Sequence, residues 1–255
     1  SGVRSDPYPV PRAYRAHGYA MIMLHVAEQL ACAAAVVDAA GVRRLETDCA
    51  GYLSDIMEYF YQPDGQIAEM VTTSAPEKDS ILARHRNPGH TLECMWFVIR
   101  AAERLGRGDY IEKALTAIKK AYELGWDAQY GGLLRFVDRS GGRPGGLVSG
   151  DAYERLIMDT WDNKLWWPHS EALYATLLAY SITRDKFFLD LYYKTHDYVF
   201  KVFPHPDGAV GEWIQIRDRQ GEPVEKLVAL PVKDPYHIIR NAMLLIELLA
   251  GECHE

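Results

Sequence analysis

No tract of this chain gathers positive charge: its 28 lysines and arginines are scattered among 35 aspartates and glutamates, for a net charge of −7. Nucleic-acid and acidic-membrane surfaces need a clustered basic face, so neither partner is expected. Cysteine is scarce as well. Cys32, Cys49, Cys94 and Cys253 lie far apart, which argues against a disulfide framework or a cysteine metal clip and reads as small buried hydrophobes in a reducing, cytoplasmic compartment. The longest apolar run, Tyr19 to Val37, is interrupted by His25, Glu28 and Gln29, so it reads as a buried helix rather than a membrane span. No cleavable leader is read in the polar, proline-containing stretch from Ser1 to Pro11. Also missing are a His-Glu-x-x-His pair, a Cys-x-x-Cys pair, a phosphate loop and a Gly-x-Ser-x-Gly elbow. Gly141 to Gly146 is glycine-rich but lacks the Lys-Ser/Thr ending of a phosphate loop, and is expected to be a flexible connector. No metal or redox cofactor is expected, because no ligand set shows adequate spacing.

What the chain does have is 48% hydrophobic residues, enough for a substantial core in a single domain over residues 1–255. Tyr14 to Ala40 is apolar nearly all round, the pattern of an inner helix covered on more than one side. Val42 to Phe60 carries apolar residues every three or four positions with charges between them, the pattern of an outer, amphipathic helix. It stops at Pro63-Asp64-Gly65, after which Ile67, Glu69 and Val71 suit a short strand. The pair then returns. His90 to Leu105 is an inner helix and Tyr110 to Leu124 an outer one; Trp166 to Ile182 and Asp185 to Phe203 repeat them, and Tyr236 to Leu249 is a fourth inner helix. The inner helices open at His17, His90, Trp166 and His237, each a little over seventy residues after the last. Such a period marks a helical repeat architecture, all-α with small strands and glycine-containing loops between the pairs.

Inner helices that alternate with outer ones run parallel, so their N-termini share one end. That brings His17, His90, Glu93, Trp166, Trp167, His169, Glu171, His237 and Arg240 to one mouth. Aromatic rings offer a flat apolar wall to the C–H faces of a sugar, while carboxylates and guanidinium groups hold hydroxyls and imidazoles move protons. Pro88-Gly89 halts the chain immediately before His90, and a helix start favours a neutral imidazole and welcomes developing negative charge. His237 is followed one turn later by Arg240 on the same face. His90 and His237 are therefore read as catalytic. Glu171, one turn after Trp167, is a carboxylate in an apolar helix and needs a buried partner or a ligand. Glu93 either orients His90 or touches substrate, and His17 is a candidate substrate contact. Consecutive helical residues point about 100° apart, so Trp166 and Trp167 cannot line one pocket equally. His25, His85, His169, His196, His205 and His254 each read as structural. His90 with Glu93 is a single, reversed version of the Glu-x-x-His pair of helical metal sites, a poor match.

The motifs Asn87-Pro88-Gly89-His90-Thr91-Leu92-Glu93, Gly125-Trp126-Asp127, Lys164-Leu165-Trp166-Trp167-Pro168-His169-Ser170-Glu171, Gly211-Glu212-Trp213 and Tyr236-His237-Ile238-Ile239-Arg240 resemble those of the N-acylglucosamine 2-epimerase superfamily. The resemblance implies an (α/α)6 toroid, of which this chain supplies about seven of twelve helices. It places the family's acid/base histidines on His90 and His237 and its essential glutamate on Glu171. It implies cofactor-free proton transfer next to the carbonyl of an open-chain sugar, with an aldose-ketose isomerase or an inactive protein-binding fragment as alternatives. It also implies an open apolar edge, covered by a second copy of the chain or by the missing N-terminal segment.

Overall fold

The computed structural model describes residues 8–73, 76–225, 234 and 236–252. Cys253 and His254 lie outside the described residues. In chain order the elements are β1 (Arg15–Ala16), α1 (Gly18–Ala34), α2 (Ala39–Asp55, continued by a π turn Ile56–Phe60), β2 (Met70–Val71), α3 (Ile81–Arg84), β3 (His85–Arg86), α4 (Pro88–Leu105), α5 (Gly108–Gly125) and β4 (Val137–Asp138). They continue with α6 (Ala152–Thr160), β5 (Lys164–Leu165), α7 (Trp166–Thr183), α8 (Lys186–Val202), β6 (Ile216–Arg217) and α9 (His237–Glu252). All seven long helices expected from periodicity are present. The first is shorter than its apolar run suggests. Its start is held back by β1, and it ends at Ala34 so that Asp38 can cap α2 through the N–H groups of Ala40 and Gly41.

The repeat shows most plainly in its smallest parts. Each of the first three inner helices is entered through a two-residue strand that pairs antiparallel with a strand downstream of its outer helix: Arg15 with Val71, His85 with Asp138, and Lys164 with Arg217. A second bridge tightens each loop that follows an outer helix, at Tyr61 with Ile67, Trp126 with Leu133, and Pro204 with Trp213. The ladders fix where each inner helix begins. α1 packs on α4, α4 on α7 and α7 on α9, while α2, α5 and α8 each back the inner helix before them. Among the described residues the main core lies between these layers, with Leu24, Phe60, Trp96, Phe97, Ile99, Ile118 and Tyr174 all buried.

Two glycines show why the motifs read as they do. A Cβ on Gly89 would lie 2.7 Å from Pro168 and 2.8 Å from the Trp167 ring, so the Pro-Gly start of α4 permits its close approach to α7. The glycine-rich segment near Gly146 is not the free connector expected. Leu147 donates to the Asp79 carbonyl and accepts from the Ile81 N–H, at 2.9 Å each. Gly146 itself, at φ 130°, has the Asp79 carbonyl where a Cβ would sit. The short helices α3 and α6 lack the length for a periodic signal; α6 is set by a capping box between Asp151 and Glu154.

Candidate active site

The starts of the four inner helices converge as expected. The ring centroids of His17 and His90 are 5.8 Å apart, those of His90 and Trp167 5.1 Å, and those of Trp167 and His237 5.4 Å. His90 is set by Asn87, which caps α4 through the His90 N–H. His237 is set in the same way by Asp234, whose side chain accepts from the His237 N–H. Trp167 stands between the two imidazoles. Trp166 does not reach the mouth: it belongs to the cluster of Leu165, Leu173, Val199 and Phe203, and its Nε1 donates to Asp234. The indole available to a ligand is that of Trp167, as the angular offset of neighbouring helical residues requires.

Each histidine leans on a buried carboxylate. His237 Nδ1 lies 2.7 Å from Glu171 Oε1, and the same carboxylate accepts from Trp96 Nε1 at 2.7 Å and from Arg240. Burial pushes the Glu171 carboxyl up, but the His237 hydrogen bond and Arg240 outweigh it and leave it below the usual range. His90 Nδ1 lies 2.9 Å from Glu69 Oε1. The partner of His90 is therefore Glu69, a residue given no role by the sequence, and not Glu93. Glu93 instead sits 3.4 Å from Arg240 and 3.8 Å from His237. Burial and the neighbouring Glu171 charge raise Glu93 to about 7 against the lowering effect of His237, His90 and Arg240.

His17 is fully buried behind His90, 3.5 Å from Glu69 Oε2, and neither of its ring nitrogens has a hydrogen-bond partner among the described residues. Burial lowers its pKa, so it is neutral near pH 7. It has no exposed surface to offer a substrate in this structure. His169 packs as a structural residue, accepting from the Leu133 N–H and bonding the Leu165 carbonyl, and burial takes it down to about 3. A signal for Glu69 was present in the sequence: it is the one charge in the run Ile67-Ala68-Glu69-Met70-Val71, and a carboxylate in a strand bound for burial needs a partner.

The expectation that no ligand set would have adequate spacing does not hold in three dimensions. Among the described residues, two sets of three side chains, His17 with Glu69 and His90, and Glu93 with Glu171 and His237, bring one donor atom each within 4.8 Å of one another. Their members come from different inner helices and loops, which linear spacing cannot show. Arg240 beside Glu93 and Glu171 already supplies a positive charge to the second set. A cavity of about 620 Å³, lined by residues of α1, α4, α7 and α9, shares Trp96 and Arg240 with the Glu171 cluster.

The profile of the N-acylglucosamine 2-epimerase (GlcNAc 2-epimerase) family matches residues 12–241. The chain belongs to that family. The N-acylglucosamine 2-epimerase of Mus musculus is 36% identical over 195 residues, covering 74% of this chain and 42% of the mouse protein. Cellobiose 2-epimerase from Bacillus thermoamylovorans B4167 superposes with a TM-score of 0.66 at 21% identity, over 88% of this chain and 52% of that one. A D-mannose isomerase gives 0.67 at 18% identity, over 93% and 57%. The fold is that of the toroidal sugar epimerases and isomerases, and this family member spans about half the length of the proteins it matches. No described helix is long and apolar enough to cross a membrane.

Proposed function

We propose that this chain carries the catalytic half of a cofactor-free sugar 2-epimerase acting on an N-acylglucosamine/N-acylmannosamine pair or a related aldose. The observation that supports it most is the pair of carboxylate-backed imidazoles on either side of the Trp167 ring. Epimerisation next to a carbonyl requires a base on one face of C2 and an acid on the other. With Nδ1 of each histidine committed to a carboxylate, Nε2 is the atom left to work on substrate. One histidine takes the C2 proton, an enolate forms (the cis-enediolate of a simple aldose), and the other returns a proton on the opposite face. The sugar's C–H face lies on Trp167, and Arg240 and a protonated Glu93 steady the developing oxyanion. Return of the proton to C1 instead gives a ketose, the aldose-ketose isomerase alternative, which the mannose isomerase neighbour keeps in view. The test is incubation with N-acetylmannosamine, mannose and cellobiose in heavy water: deuterium at C2 of a 2-epimer supports epimerase, and a ketose product supports isomerase.

Two exposed apolar stripes favour a partner at the open edge. Tyr19, Ile22, Val26 and Leu30 run along α1, and Ile239, Met243, Ile246 and Leu249 along α9. Met21 and Leu24, on the other side of α1, face the core. Each such side chain left in water forgoes about 1.5 to 3 kcal/mol. Further polypeptide, such as the longer relatives carry outside the matched part, is proposed to cover both stripes and to be required for full activity. A homodimer in light scattering would assign the cover to a second copy, and an active monomer would remove the need for one.

A further inference from the structure

We propose that Glu69 is a positioning residue for the reaction: from the β1–β2 ladder its carboxylate accepts the Nδ1–H of His90, holding that ring in the tautomer that presents Nε2 to the sugar. This rests on the reading of His90 as an acid/base group, and nothing in the family comparison assigns a role to Glu69. The ladder supplies the placement. Ala16 pairs with Met70, and the register is carried one step further by the His17 N–H donating to the Glu69 carbonyl at 3.2 Å. Successive strand residues point to opposite faces. Met70 accordingly enters the small core of Ile81, Leu82, Phe136 and Ile157, and Glu69 turns the other way, toward His90 and His17.

The surroundings leave Glu69 little else to do. It is buried, and its two oxygens divide between His90 at 2.9 Å and His17 at 3.5 Å. A buried carboxylate without a partner is costly, so it holds its partner firmly. The charged and titratable groups acting on it are His90, His17 and His85, and its own charge reaches Arg86 and Tyr153. His90 in turn feels Glu69, Glu93 and Arg135. Burial raises the Glu69 carboxyl, yet His90 and His17 bring it down to about 2, so it stays ionised through any working pH. Burial lowers His90, and Glu69, joined by Glu93, more than reverses that. His17 is kept neutral by burial, which leaves His90 as the histidine whose proton Glu69 governs. The same arrangement recurs across the mouth, where Glu171 holds His237; Glu69 is its counterpart, supplied by a strand instead of an inner helix.

The test is a histidine ¹⁵N titration of the 255-residue chain and its Glu69→Gln variant. In the parent, His90 is expected to carry its neutral-state proton on Nδ1 and to titrate above the ordinary 6.5. In the variant its midpoint falls by about one to two pH units, while His237, held by Glu171, stays in place. An unmoved His90, or an equal shift at His237, overturns the proposal. Should Glu69→Gln lose the parent's circular dichroism, Glu69→Asp keeps the charge and must keep His90 above its ordinary value; a His90 at or below 6.5 in that variant overturns it equally. Where the parent, in the active assembly with its apolar edge covered, exchanges C2 deuterium, Glu69→Gln lowers kcat about 10-fold to 100-fold and moves the acid limb of the pH profile, with KM nearly unchanged. A shifted titration with no exchange in the parent would reject the epimerase reading and leave the Glu69–His90 coupling standing.

Discussion

On one side of Trp167 a carboxylate is shared by two imidazoles, and on the other a carboxylate is shared by an imidazole, an indole and a guanidinium. Both Glu69 and Glu171 are buried and both hold a histidine through Nδ1. The difference is in what can lose its charge. Burial keeps His17 neutral, so Glu69 acts on the proton of His90, whereas Glu171 also faces Arg240, which stays cationic at any working pH. The Glu171 side thus keeps a permanent cation beside its titrating His237, and its excess of carboxylate is relieved by keeping Glu93 protonated up to about 7. On the Glu69 side the balance follows the proton on His90.

The largest expected effect would collapse the comparison altogether. His90→Ala or His237→Ala in the active assembly should lower turnover by about 10²-fold to 10⁴-fold while leaving circular dichroism unchanged. Near-normal turnover in either would remove that histidine from the chemistry. Next come the two carboxylates. Glu171→Gln leaves Arg240 facing only Glu93, and breaking a buried ion pair costs about 3 kcal/mol or more. Glu69→Gln leaves two imidazoles able to stay neutral and is expected to cost about 1 to 2 kcal/mol. Urea unfolding of both variants checks the order, and a larger loss for Glu69→Gln would contradict it.

The two sides should also differ in the sign of their pH dependence. Glu69 is depressed from 4.5 to about 2, so its contribution to stability is complete above 4.5 and is lost as pH falls from there toward 2. Glu93 is raised from 4.5 to about 7, so its contribution is complete below 4.5 and erodes as pH rises toward 7. Stability measured against pH for Glu93→Gln should lose the decline between 4.5 and 7, and for Glu69→Gln the decline below 4.5. The smallest effect is expected from metal removal. EDTA should leave activity unchanged despite the two triads of possible ligands, and loss restored by one specific divalent ion would show that a triad is occupied.

Much of this arrangement was legible in the sequence, for physical reasons. Seven long helices carry strong periodicity, and Pro88-Gly89 before His90 announced a helix start because only glycine tolerates the approach of Pro168 and Trp167. The two-residue strands before α1, α4 and α7 were not legible, since two residues carry no period. With them went Glu69, whose place depends on a ladder between residues more than fifty positions apart. The division between Trp166 and Trp167 was foreseen in angle but not in identity, because Asp234, which holds Trp166, comes from the far end of the chain. Glu93 sits one turn from His90 in sequence, yet α9 brings Arg240 and His237 closer to it.

The most direct test of two opposed acid/base histidines is positional deuterium incorporation. The chain, in the active assembly with its apolar edge covered, is incubated with N-acetylmannosamine in heavy water, and the recovered sugars are read by NMR. The account predicts one deuterium at C2 of the 2-epimer, with exchange abolished by His90→Ala and by His237→Ala alike. Epimer formed without C2 deuterium, or exchange that survives both substitutions, would contradict it.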